Sequence, residues 1–516
     1  MKGSYFMKKI VFAMMALMLL VAAGCSNSSS GGSSSNGGNV PQELTYATTS
    51  DVAGLSPILT NDSVSAAVND QVYETLFKRN SETMEIEPLL AESYENPDDL
   101  TWIIKLKEGI KFQDGTDFNA EAVKYTFDKF RDPATAAPRA SLLEPIESIN
   151  VQDEYTLEIK TKYAYGALLA ALSHSNAAIV SPEADKNGDL MKNPVGTGPF
   201  KFVSWTPGES IVLEKYPDYW QGEAKLDKVT FKVVPEVTTA ISMLQAGDVQ
   251  FIDAIPTEQL SRVEGLKNVE IQKEEGTPVY WFGFNMQKEP MNNLEFRQAV
   301  AYALNRDAYV KQLNGLGVAG NSVIGPKVFG YDEASNDVGY DYNLEKAKEL
   351  VEKNGFGDKE YTLLVANRAN YMKMAEISQS QLQEAGFKIK IESMEWATYL
   401  DTTRTGDYEM SFLSWSNSTA DGSELLYPNF HSDNVESSNK VKYSNEEFDK
   451  LVEESRENVD QDVRAAKLKE ANEFLVKDAP AIVMNHGVVT LAYDKSVKGL
   501  EIDPTGSWSL YKVYRE

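Results

Sequence analysis

Ser437 and Lys440 have the S-x-x-K spacing of a serine nucleophile beside a lysine, and Ser432–Asn434 reads S-D-N. In the penicillin-recognising serine enzymes these pieces occur in the opposite order, with K-T-G behind them. Here no K-T-G follows, and a polar surface loop accounts for both. Gly196-Thr197-Gly198 begins like a phosphate cradle, but Pro199 follows and neither G-x-G-x-x-G nor a Walker lysine completes it, so it reads as a turn. Asp185, Asn187 and Asp189 open like a calcium loop. Leu190 stands where a glycine must make the sharp turn, and the twelfth position is not glutamate, so a helix-terminating loop fits better. His174, His431 and His486 are far apart in the chain and form no local metal signature. No metal or cofactor is expected. With 77 acidic residues, counting leaves a secreted carboxylate-based hydrolase open as a rival. No G-x-S-x-G or other nucleophile motif accompanies them, and no catalytic residue is assigned.

The single thiol, Cys25, is placed for a different chemistry. Residues 10–23 are an uncharged apolar run behind Lys8 and Lys9 that ends in small residues, the layout of a secretory signal. A membrane span needs about 20 apolar residues, which this run does not reach. Ala22, Ala23 and Gly24 ahead of Cys25 resemble the lipobox of bacterial lipoproteins, with Val21 and Ala22 in place of the usual leucine. That resemblance implies a signal peptide over 1–24 and a diacylglyceryl-modified Cys25 as mature N-terminus. The alternative is an ordinary cleaved signal with an incidental cysteine. Each acyl methylene buried in lipid contributes about 0.8 kcal/mol, so a multiply acylated Cys25 anchors firmly. Residues 25–42, rich in Ser and Gly, then form a tether with a mean reach of about 20–25 Å. Loss of Lys2, Lys8 and Lys9 with the leader takes the net charge from −27 to −30. So acidic a body is repelled by nucleic acid and by anionic headgroups, and neither is expected as a partner of the folded part.

The elements that would carry a site follow the tether. At 42% hydrophobic and 10% aromatic residues the body can bury a large core, and its length implies two or three domains. A strand running into a polar loop is expected over 43–51, and strand-like segments recur at 101–112, 155–160, 200–205, 210–216, 228–234 and 280–286. A helix is expected over 295–313, where Phe296, Ala299, Val300, Ala303 and Leu304 share one face. Asn343 should start a helix that stops at Gly355, and Ser444 with Glu447 has capping-box spacing ahead of another. The mixture predicts an α/β protein of more than one domain.

Six blocks then bear on function: GIKFQDGTDFNAEAVKYTFDKF (109–130), NPVGTGPFKFVSW (193–205), TAISMLQAGDVQFID (239–253), YWFGFNMQKEPMNNLEFRQAVAYALNRD (280–307), MAEISQSQLQEAGFKIKIESMEWATYL (374–400) and LSWSNSTADGSELLYPNFHS (413–432). Through them the chain resembles, over nearly all of 43–510, the family 5 extracellular solute-binding proteins of ABC importers, the peptide and nickel class. The resemblance implies a two-lobed clamshell with an extra small α/β domain. One lobe would comprise 43–72, 194–282 and 489–516, the extra domain 73–193, and the second lobe 283–488. A ligand would be enclosed between the lobes and delivered to a membrane permease driven by separate ATPase subunits. The protein would be a lipid-anchored monomer facing the outside of the cell membrane, not an enzyme. Short peptides are the expected cargo, with a nickel chelate, a sugar oligomer or another small solute as alternatives on the same module.

The resemblance also implies site residues. Peptide binders of this family often carry an aspartate three residues after the tryptophan of the SW/GW motif, where it pairs with the ligand's α-amino group. Here Trp415 is followed at that spacing by Ser418, and the first acid is Asp421. Arg368 stands where dipeptide binders hold the ligand carboxylate, a task suited to the two parallel N–H groups of a guanidinium. Its plain alternative is a surface arginine paired with a neighbouring acid. Trp396 and Trp415 are candidate stacking walls, or else core, and Thr49 is a weaker candidate contact.

Overall fold

In a computed structural model, which describes residues 40–516, the main sheet has eleven strands. In spatial order they are Lys388–Met394, Glu360–Ala366, Met410–Trp415, Val269–Phe284, Ala481–Asp494, Phe251–Asp253, Glu43–Thr48, Lys228–Val233, Ser210–Lys215 and Phe200–Thr206, with the short Gly317–Val318 added beside Ala481–Asp494. The leader 1–24, Cys25 and the tether as far as residue 39 lie outside the described residues.

Two long antiparallel strands, Val269–Phe284 and Ala481–Asp494, hold this sheet together. Their register shifts between Glu275 and Val279, so residues 269–275 pair on one side of the irregularity and 279–283 on the other. Strand direction then determines where loops collect. Met410–Trp415 runs antiparallel to its long neighbour and ends opposite Val279, at the irregularity. Glu360–Ala366 lies parallel to it and to Lys388–Met394, so these three carboxyl ends share one edge. From the other side, Phe251–Asp253 runs antiparallel to Ala481–Asp494 and brings its Asp253 end towards the same level. Glu43–Thr48 runs parallel to it and to Lys228–Val233. Open α/β sheets bind ligands outside the carboxyl ends of their strands, and two such sets of ends face one level here.

The apolar core is divided in the same way. One cluster draws on residues 44–231, Phe251 and 491–513, a second on 279–484, and a smaller third on Ala47, Ala492 and residues between Val234 and Val269 other than Phe251. Within the first cluster an antiparallel four-stranded sheet, in the order Ala91–Asp98, Thr101–Leu106, Thr156–Thr161, Ile146–Asp153, packs with the helix Ala120–Arg131. That helix starts because the Asn119 side chain accepts the Ala122 N–H, and Lys129 and Arg131 complement the dipole in its last turn. Val123, Phe127 and Phe130 form its buried stripe.

Some local expectations change in the fold. The helix expected over 295–313 is two helices, Leu294–Ala303 and Arg306–Lys311, because Leu304 is extended and Asn305 caps the second by accepting the Ala308 N–H. Its expected apolar stripe is buried throughout. Asn343 and Gly355 bound the helix Leu344–Asn354 as read. Asn445, not Ser444, caps Glu446–Arg456, accepting from Glu447 and Phe448, while the Ser444 hydroxyl accepts from Ser432. Gly196 is more than a turn: a Cβ there would lie 2.3 Å from the Val72 carbonyl oxygen, so the backbones can approach only because it is glycine.

Candidate ligand-binding cleft

Three parallel strands deliver one end of the site. Arg368 stands two residues beyond Glu360–Ala366 and begins the helix Ala369–Glu384. Trp396 stands two beyond Lys388–Met394 and opens the helix Trp396–Thr405. Trp415 closes Met410–Trp415. The exposed Arg368 guanidinium lies 3.6 Å from the centroid of the Trp396 ring. That ring stacks on Tyr399 at 5.7 Å and meets Tyr371 at 6.0 Å, and the Tyr371 hydroxyl is 2.8 Å from that of Ser414. A guanidinium over tryptophan gains about 0.5–2 kcal/mol, which holds it while leaving its N–H edge open. No carboxylate of a described residue pairs with Arg368. Trp415 is half-buried against the second core, and Thr49 is exposed in the bend just after Glu43–Thr48.

The other end is built from distant segments. Ser418 is exposed, and its Oγ lies 2.8 Å from His174 Nε2. His174 Nδ1 accepts the Asn176 N–H at 3.1 Å, so the proton of the neutral ring sits on Nε2. Burial, reinforced by the charges of Arg139 and Arg79, pulls His174 down to about 3, and the ring stays neutral at physiological pH. Arg79 donates to the Met84 carbonyl at 2.7 Å and also to the carbonyl of Thr419. Nearby, the Tyr165 hydroxyl donates to Glu424 at 3.2 Å, and the Gly166 N–H donates to the Arg456 carbonyl at 3.2 Å. A Cβ on Gly166 would lie 1.9 Å from the Asn458 carbonyl oxygen, so this approach too requires glycine.

Asp421 differs from the expected ligand-binding acid. Arg464 Nη2 donates to both of its oxygens at 2.9 Å, and the Ser423 N–H and hydroxyl donate to Oδ1 at 3.0 and 2.7 Å. Asp421 is 3% and Arg464 1% exposed. This carboxylate is consumed in holding the loop, and a ligand ammonium would find it already paired. Two further acids lie towards this end. Burial and the charge of Asp503 push Asp70 up to about 7, and burial raises Asp503, opposed by Thr505, Ser507 and Arg79.

The remaining sequence motifs resolve into local structure. Ser432–Asn434 is a short 3-10 turn capped by His431, and the Ser437 hydroxyl bonds back to Asn434. Asp185 accepts from Tyr125 and Lys129. His431 lies against Tyr427, its ring centroid 4.5 Å away, and burial lowers His486, whose Nε2 is 3.0 Å from the Ser322 carbonyl, to about 4. Among the described residues no group of three His, Cys, Asp or Glu side chains could hold a metal. His174, Arg79 and Arg464 were not singled out as site-forming from the sequence, because each acts through a residue far away in the chain.

Residues 85–437 match the family described as bacterial extracellular solute-binding proteins, family 5 Middle. The chain belongs to this family. It is 32% identical over 482 residues to the glutathione-binding protein GsiB of Escherichia coli O1:K1, covering 91% of this chain and 93% of that one. Among solved structures, the ABC transporter-associated periplasmic binding protein DppA from Helicobacter pylori, in complex with the peptide STSA, matches with a TM-score of 0.77 and 29% identity over 92% of this chain and 98% of that one. HbpA2 from Haemophilus parasuis matches with a TM-score of 0.82 and 25% identity, over 92% and 100%. The mixed α/β fold is thus that of the family's periplasmic binding proteins. As a family member the protein is the substrate-binding component of an ABC importer, acting outside the cytoplasmic membrane, and not an enzyme.

Proposed function

We propose that the protein is a lipid-anchored receptor that captures short peptides, glutathione among them, and passes them to its permease. The observation that carries this reading is the exposed Arg368 guanidinium, fixed on Trp396 at the carboxyl ends of three parallel strands and matched by no acid of the described residues. Such a group offers a ligand carboxylate two parallel hydrogen bonds. Trp415, Trp396 and Thr49 would line the same cleft. The peptide seen with the Helicobacter pylori protein and the glutathione named for GsiB support the ligand class.

In this reading 43–72, 194–282 and 489–516 form one lobe, 73–193 its extra domain, and 283–488 the other. Closure would bend the long strands at their register shift. Separate apolar clusters on either side of that shift support the division. Anchoring rests on the apolar run 10–23 and Cys25, and Cys25→Ser should move the protein from the detergent phase to the aqueous phase.

The test is calorimetric titration of residues 25–516 with glutathione and with one dipeptide in free, N-acetylated and C-amidated forms. Amidation should cost much more affinity than acetylation. Equal binding of the free and amidated peptides would remove Arg368 from the carboxylate role, and no binding of any probe would refute the peptide class.

A further inference from the structure

Arg139 is half-buried just ahead of the short turn Ala140–Leu142, and its guanidinium makes no hydrogen bond to any described residue. Its Nε is buried without a partner. A buried donor left unmatched costs about 1–3 kcal/mol, more if charged, so such a group is retained where something else matches it. The acid nearest in effect, Glu424, already accepts from Tyr165 and lies 3.8 Å from Arg456. Arg464 is fully matched by Asp421. His174, the partner of Ser418, feels the charges of Arg79 and Arg139, whereas Arg456 and Arg464 are held by Glu424 and Asp421 and Arg79 has Asp503 beside it, so Arg139 is the guanidinium of this end without an ion pair to any described residue, in a chain whose net charge is −27.

The hydrogen-bond polarity agrees with the charge. His174 holds its proton on Nε2 and donates it to Ser418 Oγ, because Nδ1 is occupied by the Asn176 N–H. The exposed Ser418 hydroxyl then keeps its own proton to donate outward, which calls for an acceptor on the ligand. An ammonium placed there would add a positive charge beside Arg79 and Arg139, with Asp421 already taken. The remaining acids of this end, Asp70 and Asp503, lie on the Arg79 side, and Asp503 already accepts from Thr505 and Ser507.

We propose that Arg139, Arg79 and the Ser418 hydroxyl form a second carboxylate subsite, so that the preferred ligands are peptides with an anionic group at both ends, one for Arg368 and one for this cluster. The proposal rests on the reading of the cleft as a peptide site. A γ-linked glutamyl peptide, which carries a carboxylate at each end, has the required chemistry.

The test uses Ala-Ala in three forms: unmodified, N-acetylated, and N-succinylated so that a carboxylate replaces the ammonium. Calorimetry should give the succinyl form an affinity about thirtyfold above the acetyl form, as for a desolvated charge pair. Arg139→Gln should bring that ratio to within about twofold of one, and Ser418→Ala should lower it less. An unchanged melting temperature in each variant shows that the fold is intact. If the unmodified or acetyl peptide binds the wild type most tightly, or if Arg139→Gln leaves the ratio standing, the second subsite is refuted while the peptide-receptor reading survives. If none of the three binds, the peptide reading itself fails and takes the subsite with it.

Discussion

The loop that carries Arg368 and the loop that carries Asp421 both follow parallel strands of one sheet edge, yet they hold their charges in opposite ways. Arg368 is exposed, lies over the Trp396 ring and meets no acid of the described residues. Arg464 is 1% exposed and fully matched by Asp421, by the Ser455 carbonyl at 2.9 Å and by Gln461 at 2.9 Å. A guanidinium whose donors are all used belongs to the fold, and one held by its face alone keeps its edge for a ligand. Arg139 combines the two conditions, its Nε buried as Arg464 is and, like Arg368, paired with no acid. That combination is why it marks a subsite.

The comparison breaks most readily at its buried member. Asp421→Ala should leave Arg464 buried and uncompensated and lower unfolding free energy by about 3–5 kcal/mol in urea titration. A loss below about 1 kcal/mol would show that the pair is dispensable and that Asp421 is free for another role. Next in size is Asp70, towards the Ser418 end. Its folded value of about 7 is above that of a free carboxyl, so between pH of about 4 and 7 the native state binds a proton that the unfolded chain lacks. Its contribution is therefore fully present at low pH and is lost as pH rises through 7. Asp70→Asn should gain stability over the wild type progressively across that window, by up to about 4 kcal/mol at pH 8. A constant difference between the two proteins from pH 4 to 8 would mean that Asp70 titrates normally. The smallest effect belongs to the exposed member. Arg368→Ala should weaken dipeptide binding by about 1.5–3 kcal/mol, with little change in melting temperature, and lysine should restore only part of the affinity. A large fall in melting temperature would place Arg368 with Arg464 as a group of the fold.

Much of this was legible in the sequence where the signal is local. The caps at Asn343 and Gly355, the stripe Phe296, Ala299, Val300, Ala303 and Leu304, and the strands 200–205, 210–216 and 228–234 all depend on neighbours a few residues away. Glu360–Ala366 and Met410–Trp415 gave no alternation to read, because they are almost wholly buried runs in the interior of the sheet. The family blocks, and the candidates Arg368, Trp396, Trp415 and Ser418, could be named from sequence alone, but not the strands that present them. What each charged or polar group is paired with could not. His174 reaches Ser418 across 244 positions, Arg79 reaches Thr419 across 340, and Arg464 reaches Asp421 across 43. A carboxylate three residues further along a loop serves ligand or fold according to whether a buried guanidinium meets it, and burial is decided only when distant segments pack together and exclude water.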